Sequence, residues 1–459
     1  MTLRISRREV LRDAFGLAAT VGIGPILAAC GQPTAPAPPE VPKGKPEESK
    51  PAAAPAAATS APSKPASAAE IVYLNQSRGQ FKAMSTLAET YTQQSGVKVT
   101  IDSPGPVDYP KKLQAASQAG NMPDAYYAIG AADMTPYYKA GFALNLKPEM
   151  DKGWKKNFQP VILDLLEWRE NNAFGVPPGI YHAAWEAISF GILYNPALFE
   201  KAKLDPRKPP ATTQEFMDAL KALKGAGVGG FAVADTNIPQ FLQTYASNWL
   251  TDEELDATFA GKAPWKSEAW TKSIQLFADM REAGVVFNNT LNTNNPDLER
   301  SFFNVNELGT FYTGVYSIPV QVTTAPEFTA YTAFPVPKTS DAKQTIRSQG
   351  GPGKNAVVNP KGKFVDETLK YVKWLTEKEQ QQVFMEMVPL VPTNPEALDP
   401  SKISPQLAVF AAELDRLQKV PTPRTGPVNE ALIKGVQSLL LKETTIEQVL
   451  EDADKAQKG

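Results

Sequence analysis

Cysteine and histidine, the residue types that most often act as nucleophile, general base or transition-metal ligand, each occur once in this chain, as Cys30 and His182. A single cysteine forms no intrachain disulfide, and one histidine cannot build a multi-histidine metal site. No Gly-x-Ser-x-Gly elbow is present, and Gly350-Gly351-Pro352-Gly353 lacks the Lys-Ser/Thr that completes a phosphate-cradling loop. A D-x-D-x-D-G calcium loop is also missing. An Asp/Glu pair for glycan hydrolysis needs only two acids, and the chain has many, so the sequence leaves that chemistry open. The expectation is a protein without catalytic residues, metal or cofactor.

The chemistry of Cys30 lies in its position. It follows Leu27-Ala28-Ala29 at the end of an apolar run from Ala14, and Ser6-Arg7-Arg8-Glu9-Val10-Leu11-Arg12 stands upstream. A basic segment, an apolar segment and small residues, in that order, make a secretory signal. The Ser-Arg-Arg-x-Val-Leu-Arg string looks like a twin-arginine export signal, here joined to a lipoprotein box. Cleavage then leaves Cys30 as the new N-terminus with a lipid on its sulfur, and 1–30 is the signal. The apolar run, with Gly16, Gly22, Gly24 and Pro25, falls short of the ~20 residues a spanning helix needs. Residues 31–69 read as a linker: from Pro33 to Ala69 the composition is Pro, Ala, Ser, Lys and Glu, with Val41 the only branched aliphatic. Such a segment has too little to bury to fold alone, and as a coil it spans ~35 Å.

The elements that must position any site begin at Glu70. Ile71 to Leu74 is an apolar strand, followed by Phe81, Met84, Leu87, Ala88 and Tyr91 at helical spacing, with Gly96 as the stop. Val97, Val99 and Ile101 alternate as a strand. Tyr109 to Ala119 is helical, and Ala125 to Ile129 reads as a buried strand. Thr212-x-x-Glu215 is a capping box, Gly230 to Ala234 a strand, and Asp366 to Thr376 a helix. This alternation implies an α/β fold with largely parallel sheets, whose ligands sit beyond the carboxyl ends of the strands. The net charge of −2 argues against a nucleic-acid partner.

Several segments, in order, resemble the sugar-binding, maltodextrin-binding-like group of extracellular solute-binding proteins that serve ABC importers. They are Lys112-Leu113-Gln114-Ala115-Ala116 with Gly120-Asn121-Met122-Pro123-Asp124, Gly141 to Leu146, Phe174-Gly175-Val176-Pro177, Leu193 to Phe199, Thr213 to Phe216, Gly314-Val315-Tyr316, and Trp374-Leu375-Thr376 with Glu379-Gln380. Gly309-Thr310-Phe311-Tyr312 and Tyr316 depart from the family's usual Ala-Ala-Met and Trp at those places. The resemblance implies two α/β lobes of the periplasmic-binding-protein type, with a hinge and an interlobe cleft. Lobe 1 would be 70–189 and 354–395, and lobe 2 would be 190–353 and 396–459. It also implies a monomer on the outer face of the cytoplasmic membrane or in the periplasm, with permease subunits as partners and a saccharide as ligand. A tethered glycan hydrolase, or a binder of a non-sugar solute such as a glycerophosphodiester, are the competing readings.

A saccharide site needs aromatic faces for the ring and polar groups for the hydroxyls. On this reading the candidate ligand-binding residues are Arg78, Asp108, Tyr181, His182, Trp185, Trp249, Tyr312, Tyr316 and Gly351, with Trp185 and Tyr316 as opposing walls. Gly314 would admit a ligand close to the backbone. Each aromatic competes with an ordinary packing role, which is the expectation for Trp154, Trp168, Trp265, Trp270 and Trp374.

Overall fold

The computed structural model describes residues 69–76, 79–289 and 291–459, with no side-chain account of Ala131 and Ala132. The signal with Cys30, the linker before Ala69, and Arg78 lie outside the described residues. In chain order the strands are β1 (Glu70–Leu74), β2 (Lys98–Asp102), β3 (Ala125–Tyr126), β4 (Glu167–Trp168), β5 (Gly179–Ile180), β6 (Ala183–Ala184), β7 (Glu186–Tyr194), β8 (Gly229–Val233), β9 (Leu308–Gly314), β10 (Thr332–Phe334), β11 (Gly350–Pro352), β12 (Asn355–Val358) and β13 (Val391–Pro392).

The first sheet has the order β2-β1-β3-β12-β6, with β1 parallel to both neighbours and β12 antiparallel to β3 and β6. Helix Phe81–Ser95 makes the crossover from β1 to β2. Its buried residues, Ala83, Met84, Leu87, Ala88 and Tyr91, fall at three- and four-residue spacing, so one stripe faces the sheet. Gly96 ends it at φ 73°, a left-handed geometry that glycine adopts without strain, and its N–H bonds to the Thr92 carbonyl. The strand expected over Ala125 to Ile129 stops at Tyr126. Beyond it, the Asn355 side chain takes over the role of a neighbouring strand. Its Oδ1 accepts from Ala128 N at 2.8 Å, and its Nδ2 donates to Ala128 O at 3.1 Å.

The second sheet has the order β10-β7-β9-β8, with β8 parallel to β9 and the other pairs antiparallel. Period-two alternation divides its side chains between two cores. Phe190, Ile192 and Tyr194 of β7, Phe231 and Val233 of β8, and Tyr312 of β9 share one core with helices Ile238–Ala246, Glu268–Ala283 and Gly426–Leu440. Leu193, Ala232 and Phe311 face the other. Helix Thr213–Gly225 opens on the expected capping box: Thr212 accepts from the Glu215 N–H while the Glu215 carboxylate accepts from the Thr212 N–H.

β7 joins the two halves. It starts at Glu186, four residues before the apolar run that marks it in the sequence, because its first half has partners that only the fold supplies. Ala187, Ile188 and Ser189 pair with Pro352, Gly351 and Gly350 of β11, and Glu186 and Ala187 pair with β13. Its second half pairs with β9 and β10. Ser189, polar and fully buried, is satisfied by donating from Oγ to Phe410 O at 2.7 Å.

Gly350 marks the tightest approach at this junction. A Cβ there would sit 2.3 Å from Ile188 O and 2.5 Å from Leu417 Cδ2. The carbonyl belongs to the ladder and cannot step aside. Gly350→Ala is therefore expected to cost about 1–3 kcal/mol and lower Tm by several degrees. Gly105→Ala, where a Cβ meets nothing within 4 Å, serves as the neutral control. Equal melting of the two variants would show that the β7–β11 pairing yields easily.

Candidate functional site

A cavity of about 430 Å³ opens beside the β7–β11 junction. Its walls come from both sheets, which is what a clasp around a small ligand requires. From the side of the first sheet come the segment after β3 (Ala128, Ile129, Gly130), Asp133 and Tyr138 of helix Ala131–Lys139, His182, and Trp168 of β4, which pairs with β5 in a separate two-stranded sheet. The floor is Ile188 and Phe190 of β7 with Gly350, Gly351, Pro352 and Asn355. From the second sheet come Gln240 and Gln243 of helix Ile238–Ala246, Phe259, Gln418, Arg424 and Asn429.

The first wall is aromatic. Tyr138 stacks on Tyr181 with centroids 5.1 Å apart, and meets Trp168 edge-on at 6.0 Å. The Tyr138 hydroxyl lies 3.2 Å from His182 Nδ1. Burial pushes the imidazole pKa down to about 4, so His182 is neutral at physiological pH and serves as a hydrogen-bonding group. Burial also raises the Asp133 carboxyl above its usual range. Glu167 is neutralised by Lys147, 2.6 Å away.

The second wall is built from amides around one cation. Gln243 Nε2 donates to Gln418 Oε1 at 2.6 Å, and Gln418 Nε2 donates to the Gln243 and Arg347 carbonyls. Arg424 donates from Nη1 to Gln243 Oε1 and from Nε to Asn429 Oδ1, the latter at 2.9 Å. Its guanidinium sits 5.3 Å from the Phe259 ring centroid.

Of the residues expected at the site, His182 and Gly351 both line this cavity. Arg78 lies outside the described residues, and the other candidates are not among the cavity-lining residues. Trp185 is 1% exposed and packs edge-on against Tyr73 at 6.1 Å within the core, so it does not form a wall. Tyr312 and Tyr316 stand behind Phe190, stacked on it at 5.5 Å and edge-on at 6.1 Å. The room over Gly314 is filled by the Tyr316 ring itself, since a Cβ there would meet Tyr316 Cε1 at 2.3 Å. Tyr316 Oη accepts from Asn237 Nδ2 at 2.8 Å. Tyr181 lies under Tyr138 and donates to Pro177 O at 3.1 Å. Trp249 borders a separate hollow of about 280 Å³ with Tyr245, Lys272 and Asp341. Asp108 is an exposed charge 3.7 Å from Lys111. The cavity is also lined by Asp133, Tyr138, Phe259 and Arg424, which the sequence does not single out, and by Trp168, expected there as a packing residue. Pro421, Pro423 and Pro427 flank Arg424 and stiffen its loop, but only its bonds to Gln243 and Asn429 place it in the wall, so the sequence around it does not single it out.

The single histidine gives a clean test of the first wall. Its folded pKa lies below the unfolded value near 6.5, so the unfolded chain takes the proton first. Stability should fall as pH drops from about 6.5 towards 4, and His182→Gln should remove that part of the acid sensitivity. An imidazole NMR titration of the folded protein should show a midpoint near 4; a midpoint near 6.5 would show the ring to be solvated.

The profile of the bacterial extracellular solute-binding protein family matches residues 86–411 of this chain. No curated protein matches the sequence. Among solved structures, one from a study of xylan utilisation by Caldanaerobius polysaccharolyticus superposes with TM-score 0.71 at 19% identity, covering 84% of this chain and 99% of its own. An ABC-transporter solute-binding protein from Thermotoga lettingae, bound to alpha-D-tagatose, gives 0.71 at 20% identity over 85% and 99%. A sugar transporter protein from Bacillus licheniformis, in complex with stachyose, gives 0.62 at 19% identity over 84% and 98%. These likenesses agree with the two sheets joined through β7. The chain belongs to the bacterial extracellular solute-binding protein family.

Proposed function

We propose that this protein captures a saccharide in the cavity beside β7 and delivers it to the permease of an ABC importer. The observation that carries the reading is the composition of the cavity wall. Trp168, Tyr138, Phe190 and Phe259 supply aromatic surface for the C–H faces of sugar rings, while Asp133, Gln240, Gln243 and Asn429 supply hydrogen-bonding groups for hydroxyls. Two of the similar structures hold saccharides, by their descriptions alpha-D-tagatose and stachyose. In this reading 70–189 with 354–395, and 190–353 with 396–459, move as two lobes about the β7–β11 ladder and close on the ligand. A lipid on Cys30 and the linker that follows keep the protein near its permease at the outer face of the membrane.

Native mass spectrometry of the purified protein should show a bound saccharide that is released unchanged on denaturation; steady turnover of glycans would favour the hydrolase reading instead. Trp168→Ala should weaken saccharide binding by roughly 5- to 150-fold in calorimetry, with Trp168→Phe retaining most of the affinity. Undiminished affinity in the alanine variant would remove Trp168 from the site. Cys30→Ser should move the exported protein from the membrane fraction to the soluble one, and retention in the membrane would argue against the lipid.

A further inference from the structure

Among the described residues, Arg424 is the one cation that lines the cavity, and no carboxylate lies within ion-pair distance of it. Its named partners, the Gln243 and Asn429 side-chain oxygens, are neutral. They orient the guanidinium without balancing its charge. The first turn of helix Gly426–Leu440 reaches the same wall through Asn429, and the positive end of that helix adds to the potential. Burial pulls the Arg424 pKa down to about 10, which leaves it fully charged at neutral pH.

Asp133, on the other wall, has no ion-pair partner among the described residues either, but the two charges are not equivalent. A carboxyl removed from water can take up a proton, and burial already raises that of Asp133. A guanidinium has no such escape. When the cavity loses its water around a ligand, the charge of Arg424 has to be met by the ligand.

Resting on the carbohydrate reading above, we infer that the preferred ligand is an acidic saccharide whose carboxylate, as in a uronic acid, pairs with Arg424 while its hydroxylated body lies against Trp168, Tyr138 and Asp133. A planar carboxylate matches the fork of a guanidinium. One cation balances one carboxylate; a phosphate ester near −2 would leave an unmatched negative charge in the cavity.

The test is calorimetric titration of the full folded protein with a panel of uronic-acid di- and trisaccharides, the same saccharides with the carboxyl reduced to the alcohol, and sugar phosphates. At least one uronide should bind 10-fold or more tighter than its reduced counterpart and than any sugar phosphate. Arg424→Gln should weaken that uronide by about 10- to 150-fold and weaken the reduced saccharide at least 5-fold less than that. Arg424→Lys, which keeps the charge but not the fork, should fall between, and thermal melts of both variants report whether the wall still folds. Equal affinity for acid and alcohol, equal weakening of both in Arg424→Gln, or tighter binding of a sugar phosphate overturns the inference. Neutral saccharides binding while every uronide fails overturns it and leaves the carbohydrate reading standing. Failure of every saccharide overturns both.

Discussion

The hydrogen-bond ladder along β7 is the constraint on which the rest of this molecule depends. One strand of nine residues, Glu186–Tyr194, gives its first half to β11 and β13 and its second half to β9 and β10. Backbone groups at such a junction are buried, and each would cost free energy if left unpaired. The pairing therefore fixes where each sheet ends and sets the floor of the cavity at Ile188, Phe190 and Gly350 to Pro352. Small residues permit it. Gly350 and Gly353 both lie where a Cβ would strike β7, at Ile188 in each case.

The two cavity walls answer the cost of desolvation differently. The first wall reduces charge: His182 is held neutral, Glu167 is paired with Lys147, and the Asp133 carboxyl is pushed towards its protonated form. The second wall keeps its charge and surrounds it with amide oxygens and an aromatic face. The cavity is thus polarised from one sheet to the other, with aromatic rings, a neutral imidazole and the Asp133 carboxyl on one side and a fixed cation on the other. A field built from rigid groups orients a ligand before contacts close around it, and no reorganisation cost is met at that moment.

Local signals carried most of the fold. Gly96, the Thr212–Glu215 box and the helical spacing of Met84, Leu87, Ala88 and Tyr91 all act within a few residues, and each appears in the structure where the sequence puts it, whereas Phe81, expected on the same stripe, is exposed. Non-local pairing was the harder part. The first half of β7 has no strand pattern of its own until β11 and β13 arrive, and β3 is cut short by the side chain of Asn355. The site was harder still. Tyr312 and Tyr316 have the composition of a binding wall, yet the register Phe190 opposite Gly314 puts both behind Phe190. Arg424 has meaning only through Gln243 and Asn429, one of which comes from a helix far upstream. Contacts of this kind leave almost no trace in a single sequence.

The place of β12 governs when this protein can fold. It lies between β3 and β6 in the first sheet, and Asn355 on it bonds to Ala128, 227 positions earlier. During synthesis the ribosome must pass Val358 before that sheet can be completed, and pass Pro392 before β7 has all its partners. At ~5–20 residues per second, the early strands wait some tens of seconds with open edges. Long-range pairing of this sort is slow even once the chain is whole. Until then the early strands present open edges to solvent and to one another, the condition under which chains pair wrongly.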